Sequence, residues 1–432
     1  MSSIASLSFK EIVSRKDLDY VVVMRNLSSI ASLGSVGLFA LLLATVPAAN
    51  AAPTPPSIVV RMNELALETM KAAAFSPPVV SRTLALLHIG FLEVESSRKL
   101  NAAQKRATEV EYGRVLLASL MPSQAGVVNR STTEISHAFG LRPDATTDAA
   151  ADRVYAYLKE WRRDDARALA ASPWVKVDDQ HWNPIGNQVP ALPNWGTAAS
   201  FLIYKKSDWR LTIPALGLPD PRDPRVSPAL ELGEKSSTKR TADMGEIAQF
   251  WSQGAKTVTP PGQWNRIAQD AVRRLALSHG EQVRLFAELN TALAEVSVHC
   301  WSEKYRHLVL RPVQVAQANG NSEWRPLLET PPHPEYPSGH SSFSGAAATV
   351  LESWVKQFGS RIRDRGPIRV TSEDLPGVVR QYANYMEAAR EAGMSRIYGG
   401  IHFLWSDTEG QRLGRAIANE AMRDVEFSVS RD

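Results

Sequence analysis

The run from Pro331 through Pro332, His333, Pro334, Glu335, Tyr336, Pro337, Ser338 and Gly339 to His340 restricts this 432-residue chain more than any other stretch. Its prolines fix φ and withhold backbone donors, so the approach is extended. Ser338-Gly339 supports a turn, and the small residues from Ser341 to Ala348 let a helix begin and pack closely against a neighbour. A helix N-terminus reached this way offers backbone N–H groups and a positive dipole end, and so favours a tetrahedral oxyanion.

Helical periodicity dominates the remainder. Apolar patterns predict helices beginning at Ile58, over Val79–Ser97, Ala107–Leu120, Val127–Phe139 and Thr147–Leu169, then Thr241–Trp251, Trp264–His279 and Glu281 to about Leu308, with a closing helix through Met422. The charge run Lys159, Glu160, Arg162, Arg163, Asp164 and Asp165 reads as a solvated helix face. No alternating β-branched run exceeds a few residues, so the fold class is all-α, with helical bundles in two four-helix-bundle-like halves. The expected division is an N-terminal extension over 1–51, a helical half over 52–236, and a second half over 237–432 that carries the oxyanion site. From about 172 to 236 prolines and the aromatics Trp174, Trp182, Trp195 and Trp209 replace any period; such a connection either walls a site, forms a dimer contact or is a structural wrap.

A formal charge of +4 argues against a nucleic-acid partner. Residues 24–52 have the pattern of an export signal: Met24-Arg25 as a basic start, an apolar segment to Val46, and Ala49-Asn50-Ala51 as a cleavage site, with Met24 as the expected start. Its strongly apolar part, Val36 to Val46, is too short to span a bilayer. A secreted or periplasmic protein without a stable membrane span is expected. Cys300 is the only cysteine, so no internal disulfide is available, and it reads as a small buried hydrophobe.

Two further segments add charge. Lys304 and Arg311 are seven residues apart, which places them on one face if the helix runs to Pro312, and Arg396 and His402 flank the turn-permitting pair Gly399-Gly400. Singly, each is an ordinary surface cation or core histidine. Together with Ser338, Gly339 and His340 they form the set that holds a tetrahedral oxyanion.

The three segments, K-x6-R-P, P-S-G-H and S-R-x5-H between Lys304 and Asp407, resemble the signature shared by vanadium-dependent haloperoxidases and type-2 phosphatidic-acid-phosphatase-like acid phosphatases, and the helical part upstream looks like the secreted bacterial haloperoxidase-like branch. The resemblance implies a vanadate cofactor bound by Lys304, Arg311, Ser338, Gly339, Arg396 and His402. His402 would be the vanadate ligand, or the nucleophile in a phosphatase, and His340 the acid–base residue. It further implies hydrogen peroxide, a halide and a small organic substrate as partners, and a homodimer. By the same resemblance His333 would stand at a position that favours bromide and Trp301 at one beside the vanadate; otherwise the two are a loop residue and a core aromatic. Phosphatases usually place an aspartate four residues after the second histidine to orient it. Here Ser406 stands there and Asp407 one further on, which leaves Asp407 as the candidate orienting group and favours the peroxidase over an exported acid phosphatase.

Overall fold

The protein is described here by a computed structural model covering residues 56–170, 172–202, 219–254, 256–362 and 365–429, the last four without their side chains. The leader read at 24–52 and Trp209 lie outside these residues. In chain order, α1 spans Ile58–Ala72, α2 Pro77–Glu95, α3 Ala102–Leu120, α4 Ala125–Ala138, α5 Ala145–Trp161, α6 Asp165–Leu169 and α7 Ser227–Leu232. There follow α8 Ala242–Phe250, α9 Thr259–Arg274, α10 His279–His307, α11 Pro312–Ala318, α12 Gly339–Phe358, α13 Tyr385–Tyr398 and α14 Leu404–Val429. Among the described residues no helix is long and apolar enough to cross a membrane.

The all-α expectation holds, with one small addition. Strands β1, Ile368–Thr371, and β2, Val379–Tyr382, pair antiparallel with Ile368 opposite Tyr382. Four-residue strands are too short to produce an alternating pattern that stands out in the sequence.

Helix α10 is the axis of the fold. At roughly 1.5 Å per residue its 29 residues run for about 44 Å. It is buried over most of its length because α2 packs on one side and α12 and α14 on another. Helices α12 and α14 approach most closely where glycines face each other's backbone: a Cβ on Gly414 would lie 2.3 Å from the Ser342 carbonyl oxygen, and one on Gly345 2.7 Å from that of Gln411. These contacts press the start of α14 onto the start of α12, where Ser338 caps the helix by accepting the Ser341 amide.

Two sequence expectations change. The helix predicted over Thr147–Leu169 breaks after Trp161, and the charge run is not wholly solvated: Arg162 and Asp165 are 3% and 2% exposed. Asp165 Oδ2 accepts from both Arg162 Nε, at 3.1 Å, and Arg82 Nε, at 2.5 Å, while Arg162 donates to the carbonyls of Ala199 and Ser200 and lies 3.8 Å from the Phe201 ring centre. The charges are inside because they fasten the irregular connection to α2. That connection then runs over α10: Trp195 is buried and donates to Ser297, and the Ala191 carbonyl accepts from Trp301 and Tyr305.

Candidate active site

Lys304 and Arg311 converge, though not along one helix. Helix α10 stops at His307, Leu308 takes a left-handed φ of 51°, and the chain turns so that Arg311 becomes the N-cap of α11 with Pro312 in its first turn. Proline serves better as a helix start than as a continuation, which the seven-residue spacing alone does not reveal.

Lys304 lies fully buried beneath the Pro331–His340 loop and donates to the carbonyls of Pro334 at 2.9 Å, Glu335 at 3.0 Å and Pro337 at 2.5 Å. Arg311 Nε donates to the His333 carbonyl at 2.9 Å, one terminal nitrogen to the Ile401 carbonyl at 2.6 Å, and the other lies 3.0 Å from His333 Nδ1. Arg396, near the end of α13, is fastened to the Trp251 carbonyl at 2.9 Å, and its Nε is buried with no protein partner.

His402 is 2% exposed. Its Nδ1 lies 2.8 Å from Glu335 Oε1, which also accepts the Phe403 amide at 2.9 Å. A carboxylate at Nδ1 fixes the proton there and leaves the Nε2 lone pair free for a ligand; in the structure it faces an Arg311 nitrogen at 3.2 Å. The orienting carboxylate is therefore Glu335, in the proline-rich loop. Asp407 makes no bond to His402: it lies against α13, where a Cβ on Gly393 would sit 2.0 Å from its Oδ1. The sequence offered a cue, since Glu335 is the sole acidic residue in a segment otherwise made of prolines, small residues and rings.

His340 Nε2 lies 3.2 Å from the Ser252 carbonyl. His333 packs on Trp301 with ring centres 5.1 Å apart, and Trp301 lies over Gly339. These groups open on a cavity of about 380 Å³ lined by His333, Gly339, His340, Arg396 and His402 with apolar walls that include Phe75, Leu192 and Phe343. Ala191 and Leu192 come from the long connection, which thus walls the site. Lys304, Arg311 and Ser338 stand behind this lining as buried supports.

Electrostatics define what fits. Three buried cations face one fully buried carboxylate, Glu335, with half-buried Asp374 near Arg396. Burial lowers the pKa of Lys304 to about 7, that of Arg396 to about 9 and that of Arg311 to about 10. It also holds His340 and His402 well below the usual imidazole value, with the neighbouring cations adding to the effect, so both rings are neutral. A site with surplus buried positive charge and a helix N-terminus is satisfied by an oxyanion, and vanadate and phosphate both meet that description.

Known proteins resemble this chain in sequence and fold. Residues 284–431 match the VCPO second helical-bundle domain. A vanadium chloroperoxidase of Curvularia inaequalis is 26% identical over 228 residues, a match covering 39% of this chain and 37% of that relative's length. The fold is that of the first bacterial vanadium-dependent iodoperoxidase, with a TM-score of 0.73 at 24% identity over 86% of this chain and 98% of the other. A holo-type bacterial vanadium-dependent chloroperoxidase follows with a TM-score of 0.63 at 15% identity, covering 82% and 93%. The three signature segments thus assemble an oxyanion cradle on the all-α fold of the vanadium haloperoxidases, and residues 284–431 carry the VCPO second helical-bundle domain.

Proposed function

We propose that the protein is an exported haloperoxidase that uses vanadate to oxidise halide, bromide by preference, with hydrogen peroxide. The balance is X⁻ + H2O2 + H⁺ → HOX + H2O: the halide loses two electrons, the peroxide O–O bond accepts them, and a proton leaves with water. The observation that carries this reading is the Glu335-held tautomer of His402, which presents Nε2 as a ligand atom within a ring of three cations. Lys304, Arg311 and Arg396 would neutralise the oxyanion, Ser338 and the Gly339 amide would complete the cradle, and His340 would hold or release the proton. Bound vanadate would supply Lewis-acid polarisation of the peroxide. Hypohalous acid would then halogenate a small organic substrate, for which the apolar cavity provides room. The bromide preference rests on His333 and Trp301 at the cavity wall. A homodimer completes the reading.

One observation favours a second reading, an exported acid phosphatase with His402 as nucleophile. Glu335 gives that imidazole the carboxylate partner a nucleophile needs, so Ser406 in the usual aspartate position does not count against it. Bromination of a phenolic dye with peroxide and bromide, before and after vanadate addition, is to be run beside hydrolysis of a phosphomonoester. Vanadate-dependent bromination that is lost in His402→Ala is expected; ester hydrolysis without halogenation would establish the second reading instead.

A further inference from the structure

Three buried polar atoms of residues lining the same cavity have no partner in the protein: Nε2 of Gln253, Oγ1 of Thr259 and Nε of Arg396. The residues are 5%, 1% and 3% exposed. Native structures rarely leave buried donors unpaired, so three around one cavity call for a partner inside it.

The backbone supports this. Gln253 has φ 46° and Thr259 φ 61°, the left-handed region that non-glycine residues seldom enter and a β-branched residue almost never. Gly254, which would adopt that conformation freely, does not carry it. The strain is imposed from outside: Gln253 N donates to Asp374 at 2.8 Å and Val258 N to Glu373 at 2.9 Å, both from the turn between β1 and β2. These bonds fix the main chain and leave the side chains of Gln253 and Thr259 uncommitted. Such strain gathers where a ligand is bound.

Building on the haloperoxidase reading, we propose that Gln253, Thr259 and Arg396 Nε form the halide subsite. The amide nitrogen and the guanidinium Nε only donate, and the Thr259 hydroxyl can donate. The neighbouring carbonyls of Trp251 and Ser252 are engaged by Arg396 and His340. A wall of hydrogens carrying one positive charge suits a small monovalent anion, and it adjoins His340, so the halide is held where the proton is handled.

The test uses the full-length protein. In crystals soaked with sodium bromide, the anomalous signal is expected between Gln253, Thr259 and Arg396, and is expected to be lost in Gln253→Leu and Thr259→Val. Losing one hydrogen bond to an anion raises the bromide KM about tenfold, with kcat and the vanadate affinity read by vanadium NMR unchanged. Thr259→Val, nearly isosteric, decides the matter if Gln253→Leu does not fold. Bromide found only beside His333 and Trp301, an equal signal in both variants from an adventitious ion only, or an unchanged KM overturns the subsite. Failure of the vanadate-loaded wild type to oxidise any halide would overturn the haloperoxidase reading instead, and the anomalous map would still decide where bromide binds.

Discussion

Glu335 Oε1 stands 2.8 Å from Nδ1 of His402 and 2.9 Å from the Phe403 amide, so one buried carboxylate fixes both the ring and the chain that follows it. The same residue's carbonyl accepts from Lys304 at 3.0 Å, which ties the cation, the loop and His402 into one unit. Supporting carboxylates of this kind typically change ligand affinity by about 10–100-fold when removed. Glu335→Ala is therefore expected to weaken vanadate binding by that order, Glu335→Gln by less because its carbonyl still accepts from Nδ1, and Asp407→Asn not at all. Vanadate titrations of the three variants followed by vanadium NMR check the ranking; an Asp407→Asn loss equal to that of Glu335→Ala would return the orienting role to Asp407.

Much of this site was legible because its chemistry is written in local motifs. Pro331–His340, Lys304–Pro312 and Ser395–His402 each contain residue types that serve an oxyanion, and the structure brings all three together. What escaped was set by the tertiary path. Glu335 reaches His402 across 67 residues, and Arg311 arrives beside Lys304 through a left-handed turn at Leu308 rather than along a helix face. Gln253 and Thr259 look like ordinary loop residues until their partnerless atoms are seen at the cavity. Helix placement followed periodicity well, whereas Arg162 and Asp165 defeated it, since a charge pattern does not say whether its partner is water or another charge.

The Arg82, Arg162 and Asp165 cluster leads to a stability prediction. Asp165 is 2% exposed and is the carboxylate between two guanidiniums, one of which holds the connection through Ala199 and Ser200. Removing one partner of a buried pair leaves uncompensated charge and costs about 3–5 kcal/mol. Asp165→Ala should lower the denaturation midpoint by an amount equivalent to that range, measured by denaturant unfolding, and a shift below about 1 kcal/mol would mean that water replaces the carboxylate.

His333 is neutral in the folded protein, its pKa held well below the usual value by burial and by the charges of Lys304 and Arg311. Its Nδ1 accepts from Arg311 and its ring packs on Trp301. His333→Phe keeps the aromatic surface but leaves one Arg311 hydrogen unpaired and makes this wall apolar. A severalfold fall in the ratio of kcat/KM for bromide to that for chloride is expected, by roughly the 0.5–1.5 kcal/mol of a hydrogen bond. Steady-state kinetics with both halides measure it, and an unchanged ratio would leave His333 as a loop residue.

Lys304 makes the site sensitive to pH in a direction that can be worked out. Burial lowers its pKa to about 7 from an ordinary value of 10.5, with Arg311 lowering it further and Glu335 opposing. Between these values the unfolded chain binds more protons than the folded one, so this group's contribution makes the empty protein more stable as pH rises from about 7 toward 10.5. A bound oxyanion reverses the preference, because it stabilises the ammonium and raises its pKa. Binding therefore takes up a proton near and above neutrality, and affinity for phosphate or vanadate should fall as pH rises from about 7. Midpoints measured across pH with and without inorganic phosphate should converge on the alkaline side. Lys304→Met should weaken the anion's effect and flatten its pH dependence, while destabilising the loop by leaving the carbonyls of Pro334, Glu335 and Pro337 without their donor. A phosphate effect that is independent of pH in the wild type would show that Lys304 keeps its proton throughout and that the cradle binds anions without titrating.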